Sequence, residues 1–283
     1  RYMIYSILYS LRIDKLENQN IYLIMNYGEI ISYFEKHQSE KARKGMERYK
    51  VGCKDKYGIS MPVLRKLSKK IGKDHQLALK LWKHGYHESR ILATLIDEPD
   101  KVNEKQLDEW VKDFDSWDIC DQACMNLFVK MPLAISKIKE WAKSDEEFIK
   151  RTAFSLIATI AVHNKEDDDC YFEEFFPLIK ENSEDEKNYV KKAVNWALRS
   201  IGKKNKYLNK KAIEVANEIL KMDSIVTNTS FNANINNNPK YYRNRNLFKW
   251  IKKNIINNCK KLCNPRTKYV KDPELDNNKN KNS

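Results

Sequence analysis

The chain has 283 residues, with 53 Lys and Arg against 39 Asp and Glu, a formal charge of +14, six Cys, and only seven Gly and seven Pro. At 41% hydrophobic and 33% charged it has enough apolar side chain for a core, which excludes full-length disorder and the collagen-like and disulfide-stapled classes. Scarce Gly and Pro argue against a β-rich or Gly-loop nucleotide fold, because turns and phosphate loops consume both, so the composition points to helices in one large domain or two small ones.

Residues 1–29 read as an N-terminal extension. Tyr2–Leu11 is apolar but too short to span a bilayer, and it runs into Arg12, Asp14, Lys15 and Glu17 without a small-residue cleavage site. Neither a signal peptide nor a membrane anchor is expected. Scattered cysteines without zinc spacing fit reduced, structural thiols in a cytoplasmic protein. From about Asn26 to Asp223 the apolar residues recur at helical spacing. Helices are predicted over Met61–Ile71, Gln76–His84, Glu88–Ile96, Glu104–Phe114, Trp117–Lys130, Pro132–Ala142, Asp145–Val162, Tyr171–Lys180, Glu184–Ile201 and Asn209–Met222. Pro62 and Pro132 suit first-turn positions, and Ser144-x-x-Glu147 and Ser183-x-x-Glu186 are capping-box signatures. No strand is predicted. Residues 224–283 hold 16 Asn and a charge of +10, and they read as a basic, disordered tail in which Leu247–Leu262 could form one helix. The last repeat then lacks a cap, leaving apolar surface near Ile213, Ile219 and Leu220 less well covered.

Charge is segregated within the helical region: 41–73 carries +10, 74–186 carries −12, and 187–211 has nine basic residues and no acidic one. Two basic blocks on one face would steer a polyanion. The same counts also fit a solvated, Lys-rich surface. A weak repeat with a period of 41 residues aligns Phe148–Phe154 with Tyr189–Asn195, and His87–Ala93 carries a looser version. That period suits HEAT-like helix pairs, and it sets Arg90, Arg151 and Lys192 near successive helix starts, where cations and helix N-termini could meet a phosphate backbone.

The stretch Phe114–Asp121 is the most informative. With Ser116 as cap, Trp117 and Asp121 fall four apart on one helix face and Asp118 turns away. A carboxylate beneath an indole suits an electron-poor group held between an aromatic face and a negative charge. A Trp wedge beside a helix-start Asp fits the spacing as well. His37, His75, His84, His87 and His163 show no ligand spacing, His84 with His87 reads as a loop accident, and Asp167–Asp169 reads as a solvated helix start.

Tyr49, Tyr57-Gly58, Pro62, Arg65-Lys66, Trp117 to Asp121, Lys150-Arg151 and Val190 to Arg199 together resemble the AlkD-like DNA alkylation repair proteins over roughly residues 35–223. The resemblance implies an all-α, right-handed superhelical solenoid of HEAT-like repeats over residues 30–223. It implies a monomer that binds double-stranded DNA and excises cationic N3- and N7-alkylated purines as a monofunctional glycosylase, without metal or other cofactor. Trp117 and Trp196 would pack against the lesion nucleotide, Asp121 would be the catalytic carboxylate, Arg151 the phosphate contact beside it, and Tyr49 a further aromatic of the cleft. Lys150, Arg90, Lys191, Lys192 and Arg199 complete the expected DNA contacts. A non-catalytic binder of damaged or branched DNA and a HEAT-type protein adaptor, with Glu98–Asp121 as its acidic partner surface, stand as alternatives.

Overall fold

A computed structural model describes residues 25–53, 55–164 and 168–230, and among these residues every regular element is helical. The α-helices are α1 (Tyr27–Lys36), α2 (Glu40–Arg48), α3 (Met61–Ile71), α4 (His75–His84), α5 (His87–Ile96), α6 (Glu104–Lys112), α7 (Trp117–Asn126), α8 (Pro132–Ser136), α9 (Ile138–Trp141), α10 (Glu147–His163), α11 (Asp169–Glu173), α12 (Phe175–Glu181), α13 (Asn188–Ile201) and α14 (Lys206–Ser230). Short 3-10 turns occupy Pro99–Lys101 and Phe128–Lys130. None of the described helices is long and apolar enough to cross a membrane.

The all-α expectation holds, while several boundaries differ for local reasons. The predicted Trp117–Lys130 helix stops at Asn126 and tightens into the 3-10 turn. Pro132–Ala142 is two short helices, as is Tyr171–Lys180. Neither Ser–Glu pair forms a capping box. Ser144 lies outside α10 and accepts from the Glu146 amide, and the Ser183 hydroxyl donates back to the Lys180 carbonyl, so α13 starts later, at Asn188. Sequence reading assigned no helix before Met61, yet α1 carries a complete capping box, Asn26 with Glu29, and α2 is capped by Ser39. Helix α14 continues through Ser230, past the break expected at Asp223. Of the three apolar residues expected to be less well covered, Ile219 is buried while Ile213 and Leu220 are part-exposed. The proposed Leu247–Leu262 helix and the N-terminal extension lie outside the described residues.

Two compact units divide between Leu156 and Ile157, inside α10. In the first, α4 packs on α5, and α5 in turn on α3 and α7. Its core includes Leu81, Trp82, Ile91, Leu92, Leu107, Trp110, Ile119, Leu127 and Phe128, with the Trp82 and Trp110 rings stacked at 4.0 Å. Glu88, fully buried on α5, folds the loop before α3 around itself. Its carboxylate accepts from the backbone amides of Tyr57 (2.8 Å), Gly58 (2.6 Å) and Ile59 (3.0 Å). Gly58 has φ +80°, and a Cβ there would meet the Ser39 carbonyl at 2.4 Å, so the turn admits no side chain. In the second unit, α14 packs on α11, α12 and α13 around Phe172, Phe176, Ile179, Ala193, Ala197, Ile201, Leu208 and Ala216.

Candidate functional site

Helix α7 begins at Trp117 because Ser116 has the extended backbone of an N-cap, φ −146° and ψ 141°. The Ser116 hydroxyl does not cap an amide; it donates to Asp118 Oδ1. Asp118 meets α5 while Asp121 meets α10, and it places Oδ2 at 2.5 Å from His87 Nε2. His87 is no loop accident: it is the first residue of α5 and only 4% exposed. Burial works against an imidazolium, but the hydrogen bond to Asp118 and the charges of Asp118 and Glu88 win and raise its pKa to about 9. His84 closes α4 with both ring nitrogens at 2.9 Å from tyrosine hydroxyls, those of Tyr27 and Tyr57.

Trp117 is half-buried, and its indole N–H donates to the Tyr49 carbonyl at 3.2 Å. The Tyr49 side chain is 73% exposed. Its backbone is held by the end of α2, where the Tyr49 and Val51 amides both reach the Met46 carbonyl, and Lys50 turns the chain with φ +55°. Gly52 completes the approach: a Cβ there would lie 2.7 Å from the Asp115 carbonyl. Tyr49 and Trp117 thus meet because a side-chain-free position lets their loops touch.

Asp121, one turn after Trp117, is 8% exposed and faces α10. Arg151 Nε donates to its Oδ1 at 3.0 Å, Arg151 Nη2 to its Oδ2 at 2.8 Å, and Ser155 Oγ to Oδ1 at 2.8 Å. Burial pushes the Asp121 carboxyl above the usual carboxylate range, with Arg151 and Ser155 pulling it back. Among the described residues Oδ2 accepts from Arg151 alone, which leaves it one acceptor site. Beneath the carboxylate, Cys120 and Cys124 bury their thiols against Thr152.

Trp117, Asp121, Tyr49 and Arg151 therefore come together in the first unit, with Lys150 part-exposed beside Arg151. Arg151 is not a free cation awaiting phosphate, since two of its donors are committed to Asp121 and it is 5% exposed. Arg90 is also engaged: Nη1 donates to the Asp113 carbonyl at 2.9 Å and lies 3.6 Å from Asp115, with the guanidinium 5.5 Å over Trp82. The acidic stretch is in part compensated internally. Lys137, itself buried, holds Glu104, Asp108 and Glu140 within 3.6 Å, and His75 pairs with Asp97. In the second unit α13 carries Lys191, Lys192, Trp196 and Arg199. Lys192 is exposed with its ammonium 5.5 Å from the Tyr189 ring, and Trp196 is half-buried. Sequence reading missed His87 and Ser155, whose partners lie 31 and 34 residues away; no local pattern encodes such pairs.

Residues 30–230 match the family described as DNA alkylation repair enzyme. Two uncharacterized proteins, Lmo0209 of Listeria monocytogenes serovar 1/2a and Lin0241 of Listeria innocua serovar 6a, are each 24% identical over 185 residues, covering 63% of this chain and 80% of theirs. A solved structure, from a new family of proteins related to the HEAT-like repeat DNA glycosylases with affinity for branched DNA structures, is similar at a TM-score of 0.62 and 18% identity. The match covers 69% of this chain and 83% of that one. The fold is accordingly of the HEAT-like repeat class.

Proposed function

Because the chain belongs to the DNA alkylation repair enzyme family, we propose that it hydrolyses the N-glycosidic bond of cationic N3- and N7-alkylated purines in double-stranded DNA, as a monofunctional glycosylase. Alkylation makes the purine a good leaving group, so neither an acid nor a metal is needed to activate it. The remaining task is to stabilise positive charge growing on the deoxyribose and to orient a water. The carrying observation is the Trp117–Asp121 turn: a half-exposed indole fixed at the Tyr49 carbonyl, one turn from a carboxylate held in place by Arg151 and Ser155. In this reading the open acceptor site of Asp121 Oδ2 receives the water, and Trp117 and Trp196 pack on the lesion nucleotide. Tyr49 extends the aromatic surface. Lys150, Lys191, Lys192 and Arg199 contact phosphates, while Arg151 acts by holding Asp121.

A second reading, binding of DNA structure without excision, draws on the enclosure of Asp121, whose three donors would serve a purely structural ion pair equally well. The affinity for branched DNA described for the similar solved structure supports it as well.

Release of 7-methylguanine from methylated duplex DNA by the full chain, compared with folded Asp121→Asn, separates the two. Release that vanishes in the variant supports the glycosylase. Absence of release alongside salt-sensitive binding of duplex or branched DNA leaves the second reading standing. Undiminished release by Asp121→Asn would falsify the role given to that carboxylate.

A further inference from the structure

We propose that His87 is a positioning residue for the Trp117–Asp121 turn: its imidazolium, seated between Asp118 and Glu88, pins the first turn of α7 to α5 and screens the Asp118 charge from Asp121. Its catalytic consequence rests on the glycosylase reading; its structural content does not.

The chemistry of the pocket favours the cation. His87 Nε2 lies 2.5 Å from Asp118 Oδ2, and Nδ1 lies 3.8 Å from Glu88 Oε1. A neutral imidazole donating from Nε2 would turn the bare lone pair of Nδ1 towards a fully buried carboxylate. With both nitrogens protonated, each carboxylate faces a positive edge. Burial works against the charge of Glu88 and of Asp118; His87 leads the contacts that draw both below the ordinary carboxylate range, with the Tyr57 and Ile59 amides helping at Glu88 and the Ser116 hydroxyl at Asp118.

The position gives that cation its reach. The His87 amide donates to the Asp55 carbonyl at 2.9 Å, and the adjacent Glu88 gathers the amides of residues 57–59. The start of α5 thereby ties the loop downstream of Tyr49 to the helix that carries Trp117. Asp118 also stands three residues from Asp121; burial is the main upward push on the Asp121 carboxyl, and the negative charge of Asp118 adds to it. A cation on Asp118 opposes that push.

Titratable and charged groups around His87 are Glu88 and Arg90 on α5, Asp118 on α7 with Asp115 before it, Cys53, Asp55 and Tyr57 in the preceding loop, and His84 at the end of α4. Burial raises Cys53 and Tyr57 to about 12 and lowers His84. None of these three changes charge with His87 between about pH 7 and pH 10.

The test follows the Trp117 indole N–H by NMR in the 15N-labelled full chain, with the resonance assigned by Trp117→Phe. In the wild type it should move with a midpoint near 9. In His87→Gln and in Asp118→Asn that movement should be lost. A wild-type signal indifferent to pH, or an unchanged response in the variants, overturns the proposal. Should His87→Gln fail to fold, Asp118→Asn carries the same comparison. Where the wild type releases base, His87→Gln should lower kcat about tenfold with KM little changed, and an undiminished kcat overturns the catalytic part. If the wild type releases no base, the glycosylase reading has failed and the NMR result alone decides the role of His87.

Discussion

Arg151 grips Asp121 as a fork, with Nε on one carboxylate oxygen at 3.0 Å and Nη2 on the other at 2.8 Å, and both residues are less than a tenth exposed. Neither charge is stable alone at that depth, but their escapes differ. A stranded carboxylate can take a proton, whereas a stranded guanidinium cannot lose one.

Asp121→Asn should therefore destabilise the first unit at least as much as Arg151→Met, each by about 3–5 kcal/mol in urea unfolding at neutral pH. The double variant should cost clearly less than the two singles added together, since it leaves no unpaired charge. Additive losses would show that the fork contributes no coupling. The same melts identify which Asp121→Asn preparations are folded enough for an excision assay.

Stability should fall as pH rises from about 6.5 to 9, because native His87, with a pKa raised from 6.5 to about 9, keeps a proton that the unfolded chain has released. The sign is that of a raised pKa: the contribution is complete below the unfolded value and gone above the folded one. Its full size is about 3 kcal/mol. Denaturant midpoints for the wild type and His87→Gln at matched pH isolate the term, and parallel curves would remove it.

Much of the fold was legible because helix periodicity and first-turn prolines are local signals. Met61–Ile71 is bounded as predicted, and α5, α10 and α13 begin within four residues of expectation. The start of α2 escaped notice because Glu40–Arg48 buries no residue and so shows no apolar stripe; its Ser39 cap and the Gly58 contact hold it. At the site, Trp117 and Asp121 stood out by type and spacing, but the partners that define their chemistry did not. Spacing turns Asp118 away from Trp117 and Asp121 without naming His87, and the repeat sets Arg151 near a helix start without naming Asp121, since helix periodicity says which side a residue faces and not what waits there.

Two glycines should respond oppositely to a methyl group. Gly58→Ala must place a Cβ at φ +80° and 2.4 Å from the Ser39 carbonyl, which nothing flexible relieves. A loss of about 2 kcal/mol or more is expected. Gly45 lies in the middle of α2 with nothing within 4 Å of the added carbon, so Gly45→Ala should stabilise by roughly 0.5–1 kcal/mol. Thermal unfolding of the two variants side by side checks both signs.

Trp117 combines a half-buried ring with an N–H committed to the Tyr49 carbonyl, and two substitutions separate these contributions. Trp117→Phe keeps an aromatic face and loses a hydrogen bond at a half-exposed site, so stability should drop by no more than about 1 kcal/mol. If the bond sets the placement of Tyr49 over bound DNA, base release by Trp117→Phe should fall several-fold while duplex affinity holds, and Trp117→Ala should weaken both. Wild-type release from Trp117→Phe, with loss confined to Trp117→Ala, would assign the effect to the ring alone and reduce the Tyr49 contact to packing.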